Sequence, residues 1–404
     1  MQLYTANEPL LPNLTTLQLR EIGKLFVQFI PLFLSPRITS ISFELSPQRP
    51  PESMVASVIT ILPMSCPNLQ HIDLGDLPRD PMITAAVSRM SFDINRNALL
   101  TFHVNTPLTE EASEAVYKSQ NLRSLSVGVG KGTSIPSVSL PNLTHLQMWC
   151  DDGGDGLQLL RGATFGKLES VSFDIESIPI DDFLEAFIEA ALSSSIQNTL
   201  SAFKLDVWWP LYPDYSSLLP FTRLVDVDFQ FPCDGNCSAV GDDTVIDLSR
   251  AMPKLQFLHL CYRPCSRFTG GVTTKGLVDL AYNCPNLSSL CVHFQVDSLS
   301  TPTTGLETTS DIRHSVSWAG CALTELVVGE IPMPEESAST VALTLLRIFP
   351  RIEIISQMFS DEWDEVQDLI NRSKQIVDCS SKCHHSTMWI NSSLTLLRNQ
   401  IYDR

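Results

Sequence analysis

Residues 65–74 read SCPNLQHIDL, and residues 283–292 read NCPNLSSLCV. Both carry Cys-Pro-Asn-Leu, then an apolar residue three positions on and another two beyond that. Leu69, Ile72 and Leu74 hold these places in the first stretch, and Leu287, Leu290 and Val292 in the second. The same word recurs as LPNLTTLQL with Leu14, Leu17 and Leu19, as LPNLTHLQM with Leu143, Leu146 and Met148, and as MPKLQFLHL with Leu255, Leu258 and Leu260. Looser copies are PRITSISF, ALLTFHV, QNLRSLSV, GKLESVSF, NTLSAFKL, FTRLVDVDF and CALTELVV. Twelve copies place their first apolar residue at positions 14, 38, 69, 99, 122, 143, 168, 200, 224, 255, 287 and 323, at spacings of 21 to 36 residues. A degraded copy follows at Ile352.

Apolar residues at period 2 put one face of a short strand inward and the other outward. One such strand cannot bury its face alone, so serial copies must stack into a continuous core. The spacers PESMVASVITIL, TEEASEAVYKS, IDDFLEAFIEAAL, DDTVIDLSRAM, TTKGLVDLAYN and ASTVALTLLRIF carry apolar residues at helical spacing. Thr109, Asp181, Asp242 and Thr273 read as capping residues at helix starts. A strand followed by a helical return fits a parallel sheet. This is the leucine-rich-repeat pattern. The predicted fold is an α/β leucine-rich-repeat solenoid, a curved parallel sheet on the concave side with helices on the convex side. The array is read over residues 1–355, a capping helix over 356–380 and a tail over 381–404. The early apolar run IGKLFVQFIPLFL reads as a buried helix, and the Ser/Thr-rich stretch 295–318 as a surface loop.

Composition narrows the partners. The chain has 404 residues, 44% hydrophobic, which is globular, and a formal net charge of −18. An acidic chain repels phosphate backbones, so nucleic acid is not the expected partner, and a basic protein ligand fits better. No membrane segment is read, because IGKLFVQFIPLFL is interrupted by Lys24, Gln28 and Pro31 and is short for a span. The start has no basic region leading into an apolar run. Eleven cysteines without such a leader read as reduced thiols, which places the chain in the cytoplasm or nucleus.

TTKGLVDLAYNCPNLSSLCV resembles the cysteine-containing leucine-rich repeats of F-box proteins. The looser copies, with their irregular lengths, resemble the F-box/leucine-rich-repeat proteins of mushroom-forming fungi. The resemblance covers about residues 10–355. It implies the recognition half of a cullin-type ubiquitin ligase receptor, in which the repeats hold the protein to be ubiquitinated. In that family an N-terminal F-box docks on a Skp-type adaptor. No F-box-like segment precedes Leu14, so an adaptor is expected only if a docking segment exists. The alternative is a free-standing repeat scaffold with no ubiquitin role.

The outward strand positions give the candidate site. Their middle column runs Gln18, Ser42, Asp73, His103, Ser126, Gln147, Ser172, Lys204, Asp228, His259, Cys291 and Val327. The next column includes Trp149, Asp174, Asp206, Gln230, Cys261 and His293. Asp174, Asp206, Asp226 and Asp228 form an acidic strip with Trp149, Trp208, Phe257, His259 and His293 beside it. Aromatic anchors next to charge are the makings of a protein-binding surface; the plain alternative is a solvated sheet face.

No catalytic residue and no cofactor is read. His259, Cys261, Cys291 and His293 are zinc-compatible in type, but parallel side chains on a sheet converge poorly on a tetrahedron. Cys233/Cys237, Cys261/Cys265 and Cys379/Cys383 are spaced too loosely for the usual zinc knuckle. GVGKGTS at 128–134 fails as a phosphate loop, since Gly132 follows Lys131 and a strand comes next. DDGGDG at 151–156 reads as an acidic glycine loop without calcium-loop spacing. Asp228, His259 and Cys291 could be drawn as a triad, but no oxyanion donor accompanies them.

Overall fold

The computed structural model of the chain describes residues 9–75, 77–130, 137–176, 183–208, 214–230, 240–260, 271–293, 295, 321–328, 338–357 and 362–382. The chain divides into two compact units, Met1–Trp209 and Pro210–Arg404, where the sequence reads as a single array over 1–355. Each unit is an α/β assembly built on a parallel sheet.

In the first unit the strands are β1 (Thr16–Ile22), β2 (Ser40–Leu45), β3 (His71–Asp73), β4 (Thr101–Pro107), β5 (Ser124–Val129), β6 (Val138–Leu140), β7 (His145–Cys150), β8 (Ala163–Phe165), β9 (Ser170–Ile175) and β10 (Ala202–Val207). The main sheet runs β1-β2-β3-β4-β5-β7-β9-β10 with every neighbouring pair parallel. β6 and β8 make a separate parallel pair that the repeat pattern does not announce. The helices are α1 (Lys24–Val27), α2 (Glu52–Ser65), α3 (Pro81–Asp93), α4 (Glu110–Tyr117), α5 (Gly153–Gly162) and α6 (Phe183–Ser193). In the second unit β11 (Asp226–Gln230), β12 (Phe257–His259), β13 (Ser289–Cys291), β14 (Glu325–Val328) and β15 (Ile354–Gln357) pair in sequence order, again parallel. Its helices are α7 (Asp242–Ala251), α8 (Thr274–Asn283), α9 (Ala338–Ile348) and α10 (Glu362–Lys382).

The recurring word has a local cause. Leu69 N–H donates to Cys66 O at 3.3 Å, and Leu287 N–H to Cys284 O at 3.1 Å. Each Cys-Pro-Asn-Leu is therefore a β-turn, with proline at the second position, where its fixed φ belongs. The asparagine reaches sideways: Asn68 Nδ2 donates to Pro36 O at 3.0 Å, and Asn142 Nδ2 to Gln120 O at 3.0 Å. These two turns are thus tied by a side-chain hydrogen bond to a carbonyl of the repeat before. The leucine that follows is sealed in the core: Leu69, Leu122, Leu143, Leu255 and Leu287 are each at most 1% exposed.

The inward strand residues close the core behind the turns. Ile72, Phe102, Leu125, Leu146 and Val171 in the first unit, and Val227, Leu258, Leu290 and Leu326 in the second, are essentially inaccessible. The helices supply the facing apolar sides, as with Val55, Ile59 and Leu62 of α2. Thr109 and Thr273 cap their helices as the sequence predicts, accepting from Ala112 N–H and Lys275 N–H. Asp181 lies outside the described residues. α10 spans most of the expected capping helix, and its Trp363, Val366 and Ile370 are fully buried.

Three local readings change. IGKLFVQFIPLFL is not a buried helix. It makes only α1 and a single 3-10 turn, Ile30–Phe33, with Pro31 at its start. Leu25 is 79% exposed, and Phe26, Phe29 and Leu32 are exposed with it. DDGGDG is not a loop but the start of α5, whose first turn Asp152 caps by accepting from Gly154 N–H. Its glycines are there for close packing. A Cβ on Gly156 would stand 2.7 Å from Cys150 Sγ and 2.9 Å from the Phe173 ring, and one on Gly153 2.7 Å from Phe183. Asp242 does not cap its own helix, where Gly241 takes that place; its carboxylate instead holds Thr273 at the start of α8.

Candidate functional site

The outward columns of each unit fall in the expected register. In the first, Gln18, Ser42, Asp73, His103, Ser126, Gln147, Ser172 and Lys204 are successive partners across adjacent strands. Side chains in neighbouring strands stand close enough to bond. Ser42 Oγ lies 3.5 Å from Asp73, and Ser126 Oγ donates to Gln147 at 3.1 Å. His103 Nε2 lies 2.7 Å from Ser124 Oγ. Burial lowers the His103 pKa, with Asp73 pulling the other way.

The next column holds the sharper cluster. Trp149 on β7 pairs with Asp174 on β9, and Asp174 with Asp206 on β10. Trp208 follows β10 and is 70% exposed. The Trp208 and Trp149 indoles lie near enough to the Asp174 carboxylate to favour its charged form. Burial raises the Asp174 pKa, the charges of Asp206 and Glu176 raise it further, and the indole donors partly offset them. At the same end of the strands Arg79 bonds Asp151 at 2.6 Å and Glu176 at 2.9 Å, tying the loops after β3, β7 and β9 together. Arg79, Asp151 and Glu176 carry no repeat signal and escape a reading confined to strand positions.

The second unit carries the rest of the predicted residues. Asp226, Phe257, Ser289 and Glu325 are successive register partners, and so are Asp228, His259, Cys291 and Val327. Phe257 is 40% exposed and Asp226 half-buried. Between the columns runs a polar chain. His259 Nδ1 lies 3.6 Å from Asp228 Oδ1, its Nε2 lies 2.8 Å from Ser289 Oγ, and Ser289 Oγ donates to Glu325 Oε2 at 3.2 Å. Gln230 Nε2 donates to the other Asp228 oxygen at 2.9 Å. Burial by itself pushes the His259 pKa down; the adjacent Asp228 carboxylate, with Cys291 and Glu325, more than reverses this, and the net shift is upward.

The outline of an Asp-His-Ser array is therefore present, with Ser289 rather than Cys291 in the third place. Ser289 Oγ stands between His259 Nε2 and the Glu325 carboxylate, and Asp228 and Glu325 favour the protonated form of His259 over the neutral one.

Cys291 and His293 are not open-face residues. They are 6% and 8% exposed. His293 follows the end of β13, where its carbonyl accepts from Val272 N–H at 2.9 Å, which draws it toward the segment entering α8. Burial pushes its pKa down to about 4, so it is neutral. Of the zinc-compatible quartet, Cys261 lies outside the described residues, and both ring nitrogens of His259 are already engaged. Among the described residues no three acidic, histidine or cysteine side chains converge on a metal-sized site. Among the described residues, too, no helix is long and apolar enough to cross a membrane. Cys233, Cys237, Cys265, Cys383 and most of GVGKGTS, of the 295–318 stretch and of the 381–404 tail lie outside the described residues.

No family model matches the chain, and no curated protein matches it.

Proposed function

We propose that the chain is a non-catalytic recognition module of the leucine-rich-repeat class, which binds a protein ligand on the outward face of its strands. One observation carries this reading. The outward residues stand in lateral register, which places Phe257 beside Asp226 in one unit and Trp149 beside Asp174 in the other, with the exposed Trp208 following β10. Exposed aromatic side chains beside carboxylates supply both anchor area and electrostatic selection, and the negative charge favours a basic ligand. The repeat word, its turn geometry and the helical returns support a solenoid built from these units, whose strand-lined side is the usual binding surface of such arrays. The reading extends, by resemblance, to the substrate-holding half of a cullin-type ubiquitin ligase receptor working inside the cell, in the cytoplasm or nucleus.

The test is affinity capture with the intact chain against a variant carrying Asp226→Lys and Phe257→Ala. Both positions lie on the outward face, so folding should be retained, as thermal unfolding will show. The reading expects proteins captured by the parent chain to be lost from the variant. Unchanged capture moves the site elsewhere. Co-capture of a Skp-type adaptor and a cullin supports the ligase receptor, and capture of the ligand without them supports a free-standing scaffold.

A further inference from the structure

Residues 46–49 read Ser-Pro-Gln-Arg, a hydroxyl followed by proline with an arginine two residues beyond it. Ser-Pro or Thr-Pro stands at Ser35, Ser46 and Thr106 among the described residues, and the fold treats the three differently. Ser35 is 1% exposed, with its hydroxyl against Leu14 O, and Thr106 is sealed within β4. Ser46 instead follows the end of β2, in a segment that belongs to no helix or strand before α2 begins at Glu52. It is half-buried, and Pro47, Gln48 and Arg49 after it are exposed. Ser46 Oγ accepts Gln48 N–H at 3.3 Å. Arg49 forms no ion pair among the described residues. The strand end is also lightly held. The register of β2 with β3 stops at Ser42, and past an irregularity in β1 the remaining pair is Ile22 with Leu45. A strand end with few ladder bonds opens at low cost.

We infer that Ser46 is a phosphorylation site for a proline-directed protein kinase, of the kind that also reads a basic residue two places past the proline. Proline has no N–H, so a kinase cleft without an acceptor at that place takes it freely and leaves the N–H of any other residue unpaired. Proline also holds the preceding residue extended, the form in which a substrate segment lies along a cleft. The arginine supplies a charge for the cleft to pair. In the step itself Ser46 Oγ attacks the γ-phosphorus of MgATP. The new O–P bond forms as the bond from that phosphorus to ADP breaks, and the hydroxyl proton passes to a carboxylate of the kinase. The product carries about −1.5 to −2 of new charge, close in sequence to the Arg49 guanidinium that can pair with it. The site is independent of the ligand-binding face proposed above.

The test incubates the full folded chain with a cyclin-dependent kinase and MgATP, and follows phosphate by intact mass and peptide mapping. Ser46 should gain phosphate while Ser35 and Thr106 gain none, because the fold closes both off. Pro47→Ala should slow labelling of Ser46 by about tenfold or more, and Arg49→Ala by about fivefold. Both positions are exposed, so thermal unfolding of each variant should match that of the parent chain. The assignment is overturned by the absence of phosphate at Ser46, by labelling of Ser35 or Thr106 at the same rate, or by an undiminished rate in either variant.

Discussion

Removing the Asp242 carboxylate tests how neighbouring repeats are tied. Asp242 begins α7, yet its Oδ1 accepts Thr273 N–H at 2.7 Å and its Oδ2 accepts the Thr273 hydroxyl at 2.6 Å, fixing the start of α8 thirty-one residues away. Hydrogen bonds to a charged group contribute ~1.5–3 kcal/mol each, and two on one carboxylate do not add fully. A negative charge in the first turn of α7 adds ~0.3–1 kcal/mol. Asp242→Ala should therefore cost about 2–4 kcal/mol. Asp242→Asn keeps an acceptor for the amide but loses the charge, and should cost about half as much. Urea unfolding gives the magnitude, and hydrogen exchange over residues 240–260 and 271–284 should show both helices opening more readily. If the two variants unfold at the same urea concentration, or if alanine costs under ~0.5 kcal/mol, the carboxylate is not the tie.

Three further outcomes follow from the packing and the charges. Gly156→Ala puts a methyl 2.7 Å from Cys150 Sγ and 2.9 Å from Phe173; it should destabilise the first unit by about 1–3 kcal/mol, read as a drop in thermal midpoint. Because its folded pKa is raised, His259 contributes stability that is full below the unfolded value near 6.5 and fades as pH rises through the folded value. The stability gap between the parent and His259→Gln should thus shrink with rising pH in that window, and a gap that widens would show the sign to be wrong. Burial pushes the thiols of Cys66 up to about 11 and those of Cys150 and Cys284 up to about 12; iodoacetamide near pH 8 should leave all three unlabelled until the chain is unfolded in urea.

How far the sequence reached depends on the kind of signal. Strand register was legible because it follows from period 2: once Leu69 and Leu287 are known to point inward, Asp73 and Cys291 follow by counting. The turn at Pro67-Asn68 was legible as punctuation, though not the sideways bond from Asn68 to Pro36 O, which depends on the neighbouring repeat. α3 and α5 escaped, the second because Gly153, Gly154 and Gly156 read as an acidic glycine loop. Only tertiary packing against Phe173, Phe183 and Cys150 makes Gly153 and Gly156 useful in a helix. His293 shows the limit of counting, since β13 ends at Cys291 and the residues beyond it no longer alternate. In the candidate site, Trp149, Asp174 and Asp206 fell in register as read. The approach of the indoles to Asp174, and the placing of Ser289 Oγ between His259 and Glu325, depend on rotamers that no spacing encodes.

The central claim is that the outward strand face, rather than the helical side, meets the partner. A photo-crosslinking amino acid placed at Phe257, which is 40% exposed on the strand face, can be compared with one at Tyr282, 64% exposed on α8. The account predicts that cells expressing the Phe257 chain yield a discrete crosslinked protein, and that the Tyr282 chain yields none. Crosslinks from Tyr282 with none from Phe257 would contradict it.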